Sequence, residues 1–239
     1  MTPQQKEHYD QFVQEIEQEM ERLYDHIYSF NDENVQVEII FDNLLYGKKV
    51  FDSHFDRIFP QDIRRLSAIH WTPVKVARKA ASLLCSQKGT KVLDIGSGCG
   101  KFCLVGAATQ PESHFHGIEQ RSHLTITAKQ CAKNLNLVNV SFQSGNMNAL
   151  NWHEFDSFYF YNPFGENTLS EIVRIDSVMA ANLELYYSYV NTTRTKLSTL
   201  KTGTRVVTFH GFGGTFPDEY HLKYSEKVGN GELELWIKS

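Results

Sequence analysis

An open, doubly wound α/β sheet, mostly parallel with an antiparallel hairpin at its C-terminal end, is the fold this sequence predicts. Three observations lead there. From residue 73 onward helical and strand patterns alternate, which demands parallel strands joined by right-handed crossovers. The first strand runs into a turn with glycine at every second position, Gly96, Gly98 and Gly100, and a helical pattern follows at once. Near the end, two strand-like runs flank Val228-Gly229-Asn230-Gly231, and Asn-Gly is a strong hairpin signal.

The elements follow in order. Tyr9, Phe12, Val13, Ile16, Met20, Leu23, Tyr24 and Ile27 fall at steps of three and four, the stripe of a long amphipathic helix. Thr2 before Pro3 suits an N-cap with proline at the first helical position. Residues 35–46 and 48–59 read as two shorter helices split by Gly47, and Pro60 closes the set. The stripe covers few heptads, so residues 1–69 are expected to be a helical cap on the domain that follows rather than a dimerising coiled coil. In the domain spanning 70–239, helices are predicted over 73–85, 101–109, 122–135 and within 169–200. Strands are predicted over 91–95, 114–118, 140–143, 157–161 and 204–209, with the closing pair at 221–227 and 232–237, seven in all. The stretch 211–220 is too short for a full helix, and its three glycines suggest a loop over the site.

Composition removes several classes. The chain has 239 residues, 41% of them apolar and 22% charged, as expected of an ordinary globular protein able to bury a core without disulfides or a structural metal. No run approaches a membrane span, and the polar, acidic start does not resemble a secretory or transit peptide, so a cytoplasmic location is expected. Cysteines at 85, 99, 103 and 131 form no C-x-x-C pair, which supports neither a disulfide framework nor a zinc site. A net charge of −4 argues against tight autonomous binding to nucleic acid.

Ligands of such sheets bind at the carboxyl ends of the strands. After the first strand stands Asp94-Ile95-Gly96-Ser97-Gly98-Cys99-Gly100. Its glycines let a ligand lie on bare backbone at a helix N-terminus. A dinucleotide fingerprint would need glycine at 101, where Lys101 stands, so the loop suits a ligand without phosphate. Asp94 adds a negative charge that favours an ammonium or sulfonium compound. After the second strand Glu119 lies 23 residues beyond Gly96, where a carboxylate accepts hydrogen bonds from a ribose diol.

The loop VLDIGSGCG and the acidic GIE together resemble the class I (seven-stranded, Rossmann-like) S-adenosylmethionine-dependent methyltransferases, over about residues 70 to 238. The resemblance implies S-adenosyl-L-methionine as cofactor. It places Asp94, Gly96, Ser97, Gly98 and Gly100 around the cofactor, with Glu119 on the ribose and Gln120 beside it. The family's usual Gly-Asp at the adenine reads Gly145-Asn146-Met147 here, so Asn146 would accept through its amide oxygen and Met147 would pack on the ring. Asn162-Pro163-Phe164 looks like the Asn-Pro-Pro-Phe motif of nitrogen methyltransferases with one proline missing. In that family the asparagine and a proline carbonyl grip the target NH2 while the aromatic ring stacks on it. Thr72-Pro73 is similar to an element that contacts the cofactor carboxylate, and equally to a simple helix start. His210, after the fifth strand, is a candidate general base.

The expected activity is therefore methyl transfer to an unidentified acceptor, with a protein or small-molecule acceptor favoured over nucleic acid and no membrane partner. The alternative is an inactive cofactor-binding interaction protein. No metal is expected.

Overall fold

A computed structural model describes residues 37–167, 175–176, 182–229 and 231–239. The long helix expected from Tyr9 to Ile27, the first part of the helix expected within 169–200, and Asn230 of the hairpin turn lie outside the described residues. A helix α1 (Val37–Leu45) is followed by three one-turn helices, α2 (Asp52–Phe55), α3 (Gln61–Arg64) and α4 (Ser67–His70). The single helix expected over 48–59 is thus only one turn and a 3-10 turn at Asp56–Ile58. The last two short helices were not expected. Pro60 ends one turn and, in an extended conformation, opens the next, so the chain zigzags instead of stopping.

The alternating pattern then runs as predicted, to within one or two residues except at the start of α8, which lies inside the 169–200 stretch: α5 (Val74–Leu84), β1 (Lys91–Ile95), α6 (Lys101–Thr109), β2 (His114–Glu119), α7 (Ser122–Asn134), β3 (Val140–Ser144), β4 (Ser157–Tyr161), α8 (Leu183–Thr199), β5 (Arg205–Phe209), β6 (Tyr220–Val228) and β7 (Gly231–Lys238). The seven strands form one sheet in the order β3-β2-β1-β4-β5-β7-β6. The first five are parallel, and β7 inserts antiparallel between β5 and β6. Residues 211–219 cross from β5 to β6 as a loop, as their length required.

Burial follows topology. Strands β1, β4 and β5 are covered on both faces and are buried almost throughout, while the edge strand β6 is mostly exposed. Along β4 the aromatic run divides between the faces. Phe158 and Phe160 pack with Trp152, whereas Tyr159 stacks on Phe102 of α6 at 3.9 Å. Each such fully buried ring contributes roughly 1.5–3 kcal/mol, so β4 anchors both layers and holds the strand end that follows it rigid. Strands β2 and β3 lie to one side of β1, and β4 and β5 lie on the other. The order reverses between β1 and β4, and a crevice opens there at the carboxyl ends.

Candidate active site

The crevice is a cleft of about 840 Å³, counting space open to solvent. Its walls come from four strand ends: Gly96 and Gly98 after β1, Glu119, Gln120 and Arg121 at β2, Gly145 and Met147 after β3, and Tyr161 to Phe164 at β4. A smaller adjoining recess is lined by Thr72, Asp94, Gly96 and Ser97.

The glycine loop is held by the strand beside it, since the amides of Gly96 and Ser97 both donate to the Ile118 carbonyl at 3.0 Å. Gly96 and Gly98 have positive φ, and a side chain at either would strike a wall. A Cβ at 98 would lie 2.4 Å from Trp71 Cζ3, and one at 96 would lie 3.0 Å from Pro163 Cβ. Gly100 serves packing instead: a Cβ there would meet Phe142 at 2.6 Å on the far side of the loop.

Glu119 is buried, and both carboxylate oxygens take a backbone N–H: Oε2 from Gly98 at 3.1 Å and Oε1 from Arg121 at 2.9 Å. The carboxylate therefore ties the glycine loop to the end of β2, and each oxygen keeps a second lone pair for a ligand. Asp94 accepts a weak hydrogen bond from the Cys103 thiol at 3.5 Å. Burial pushes its carboxyl up to about 8, so at pH 7 most of it holds a proton. The negative charge expected at Asp94 thus develops only when a cation arrives beside it. Thr72 is buried with its hydroxyl bonded to Tyr159 at 3.1 Å.

At β3 the structure separates two neighbours. Met147 lines the cleft, whereas Asn146 is turned into local structure. Its amide oxygen caps the following turn at Asn148 N (2.9 Å), and its NH2 donates to Tyr189 at 2.7 Å. At β4, Asn162 stands in the left-handed region with φ 37°, a strained placement that clusters at functional sites. Its amide N donates to the Gly211 carbonyl at 3.1 Å. Its side chain is exposed and makes no hydrogen bond among the described residues. Phe164 is buried and stacks on Tyr189 at 5.4 Å, so its ring faces the Met147 side of the cleft. His210 also has positive φ, at 61°. It does not line the cleft: its ring stacks on Tyr161, which does, with centroids 5.7 Å apart. Burial lowers its pKa, so it is neutral at pH 7.

Several wall residues make contacts that the sequence pattern does not reveal. Trp71 closes the glycine loop, its indole N–H donating to the Ile63 carbonyl at 2.9 Å. Arg121 is held among three carboxylates, with Nη2 2.6 Å from Glu166, Nε 3.1 Å from Asp176 and Nη1 3.7 Å from Glu119. Lys101, read only as a missing glycine, is buried and lies 2.6 Å from Asp56 and 2.7 Å from Asp52. It joins the 52–56 segment to the first turn of α6, directly after the glycine loop. Only Arg121's place two residues after Glu119 was a local signal. The other contacts join residues far apart in the chain.

A family model described as a methyltransferase domain matches residues 86–207, just over half of the chain. The chain belongs to the class I S-adenosylmethionine-dependent methyltransferases. A tRNA (guanine-N(7)-)-methyltransferase of Microcystis aeruginosa is 50% identical over 57 residues, 24% of this chain. The matched stretch spans about a quarter (27%) of that curated relative's length. Two solved structures share the fold at 18% identity. An RNA methyltransferase from Salinibacter ruber in complex with S-adenosyl-L-homocysteine has a TM-score of 0.52, covering 70% of this chain and 92% of its own. TrmN from Thermus thermophilus has a TM-score of 0.55, covering 74% and 52% respectively. The magnesium protoporphyrin IX methyltransferase from Synechocystis, with bound SAM, covers 92% of this chain at a TM-score of 0.50 and 12% identity.

The family's cofactor fits the residues present. The cleft offers a doubly oriented carboxylate at the end of β2, a buried carboxyl beside the glycine loop, and an apolar wall of Ile118, Met147 and Phe164. Gly145 leaves open space in the wall, since a Cβ there would meet only Ile118 Cδ1 at 3.8 Å. Among the described residues no helix is long and apolar enough to cross a membrane.

Proposed function

We propose that this protein transfers a methyl group from S-adenosylmethionine to a nitrogen of a planar acceptor at the lip formed by Tyr161, Asn162 and Pro163. The observation that carries this reading is Asn162: a cleft-lining residue in the left-handed region at the end of a rigid central strand, its exposed side chain lying against Gly165 and making no hydrogen bond among the described residues. Bound S-adenosylmethionine supplies an electrophilic sulfonium methyl. The protein's part is to hold both partners and exclude water. Glu119 accepts from the ribose hydroxyls, with Gln120 beside it. Asp94, Thr72 and Ser97 hold the amino-acid end against the backbone of Gly96 and Gly98. Met147 and Phe164 flank the adenine, while Gly100 and Asn146 shape the loops that carry these groups.

The Asn162 amide oxygen and a backbone carbonyl at Pro163 accept hydrogen bonds from the target nitrogen and stabilise the charge that develops on it. Tyr161 supplies the flat surface beside them. The base role expected of His210 becomes a positioning role in this reading, because its ring supports Tyr161 from outside the cleft and its Nε2 faces Gly231.

The test has two parts. Calorimetry with S-adenosylhomocysteine, against NAD as control, is expected to show micromolar binding of the first alone. Asn162→Ala is expected to lower incorporation of labelled methyl into acceptor pools by about 10²–10³-fold while leaving that binding within a factor of about two. Full turnover in the variant would remove Asn162 from the mechanism.

A further inference from the structure

We infer that the loop Tyr46 to Phe51 and the first turns of α5 form a docking surface for single-stranded nucleic acid, placed to feed a base to the cleft. As an acceptor surface it rests on the methyl-transfer reading above.

The acidic net charge of the chain is unevenly distributed. Residues 1–36 contain nine Asp and Glu against two Lys and Arg, a balance of −7, and residues 37–239 have 22 Lys and Arg against 19 Asp and Glu, a balance of +3. The excess concentrates before β1. Residues 48–79 contain eight Lys and Arg and three acids, Asp52, Asp56 and Asp62, and the first two of those face buried Lys101. Net charge therefore does not weigh against nucleic acid in the part of the chain that carries the site.

Four of these cations form a local set. Lys48 and Lys49 are exposed on the loop, and Lys75 and Lys79 are exposed on α5, four residues apart and so on one helical face. Arg78 clamps the loop to the helix, its Nη1 donating to the Lys48 carbonyl at 2.6 Å. Among the described residues none of the four lysines takes part in an ion pair; the Lys79 ammonium lies 4.8 Å from the Tyr224 ring centre, a contact that leaves its charge uncancelled. Two aromatic side chains sit among them: Tyr46 is 73% exposed and Phe51 51% exposed. The Lys49 ammonium lies 4.4 Å from the Phe51 ring centre.

Lysines that neutralise phosphates beside rings that accept stacked bases are what single strands bind. An acidic peptide would use the lysines but has no need of the rings. The surface also adjoins the cleft. Asp52 Oδ1, one residue past Phe51, accepts from the amide of Val74 at 2.8 Å, and Trp71, three residues earlier, lines the cleft.

The test uses the full chain, a fluorescein-labelled single-stranded RNA of mixed sequence and fluorescence anisotropy at about 50 and about 200 mM KCl, with S-adenosylhomocysteine calorimetry in parallel. Four phosphate contacts at about −0.7 each predict a loss of about 50-fold in affinity across that fourfold rise in salt. Replacing Lys48, Lys49, Lys75 and Lys79 together by Gln should abolish most binding and its salt dependence, with S-adenosylhomocysteine affinity unchanged. Tyr46→Ala with Phe51→Ala should weaken binding about tenfold at both salts without changing the slope.

No RNA binding at low salt by protein that still binds S-adenosylhomocysteine overturns the inference and leaves methyl transfer standing. Equal binding of polyglutamate, or a lysine variant that changes oligomeric state instead of RNA affinity, also overturns it. Salt-dependent RNA binding without any S-adenosylhomocysteine binding supports the surface and removes the methyl-transfer reading instead.

Discussion

Cofactor affinity should rise steeply with pH, and the cause is one buried carboxyl. Asp94 has its pKa pushed up to about 8 from an ordinary 3.8, chiefly by burial. An ammonium drawn in beside it favours the ionised form, so binding must expel the proton wherever the free protein still holds it. With a free value near 8, the ionised fraction is about one half at pH 8 and about one in a hundred at pH 6. If the bound form stays ionised across this range, affinity for S-adenosylhomocysteine rises about 50-fold from pH 6 to pH 8, or about 2.3 kcal/mol. Calorimetry in two buffers of different ionisation enthalpy should also report release of about 0.9 proton per ligand at pH 7.

The same shift has a stability consequence of definite sign. Between about pH 4 and pH 8 the folded state keeps a proton that the unfolded chain has lost, so the unliganded protein grows less stable as pH rises through that window. Asp94→Asn should therefore raise the Tm little at pH 4 and increasingly toward pH 8, and should bind S-adenosylhomocysteine weakly with no pH dependence. Wild-type affinity constant within threefold from pH 6 to 8, with no proton released, would refute the reasoning.

Two further substitutions probe the loop and its support. Gly98→Ala places a Cβ 2.4 Å from the Trp71 ring at a backbone φ of 53°; an expected loss of about 1–3 kcal/mol in urea unfolding should accompany at least a tenfold loss of S-adenosylhomocysteine affinity. Lys101→Met leaves the buried Asp56 carboxylate without its cation, at a cost of about 3–5 kcal/mol that shrinks as acid protonates Asp56; adding Asp56→Asn should recover most of the loss.

The parallel elements were legible because each carries its own signal. Buried runs such as Val92 to Ile95, bounded by turn residues, read as interior strands, and the glycines after β1 and the pair at 229 and 231 mark turns. The stretch from Gly47 to Trp71 was read poorly because its short turns bury only single residues, among them Phe55, Phe59 and Ile63, and such spacing has no period to detect. The separation of Glu119 from the glycine loop was enough to expect both at one crevice, and Glu119, Gly96 and Gly98 all line the cleft. Phe164 was read as an acceptor platform, yet its ring stacks inward on Tyr189 from a distant helix, and Tyr161 is left at the lip.

The succession of helices and strands, the place of the cleft and the family loop follow from local pattern, because propensity, turn chemistry and the handedness of crossovers act over neighbouring residues. The protonation of Asp94, the role of Lys101 and the clasp around Arg121 depended on the tertiary structure. Each results from burial or from carboxylates that the chain brings from 45 or more residues away, Asp56 to Lys101 and Glu166 to Arg121. Electrostatic energy depends on distance and on exclusion of water, and neither is a property of sequence separation.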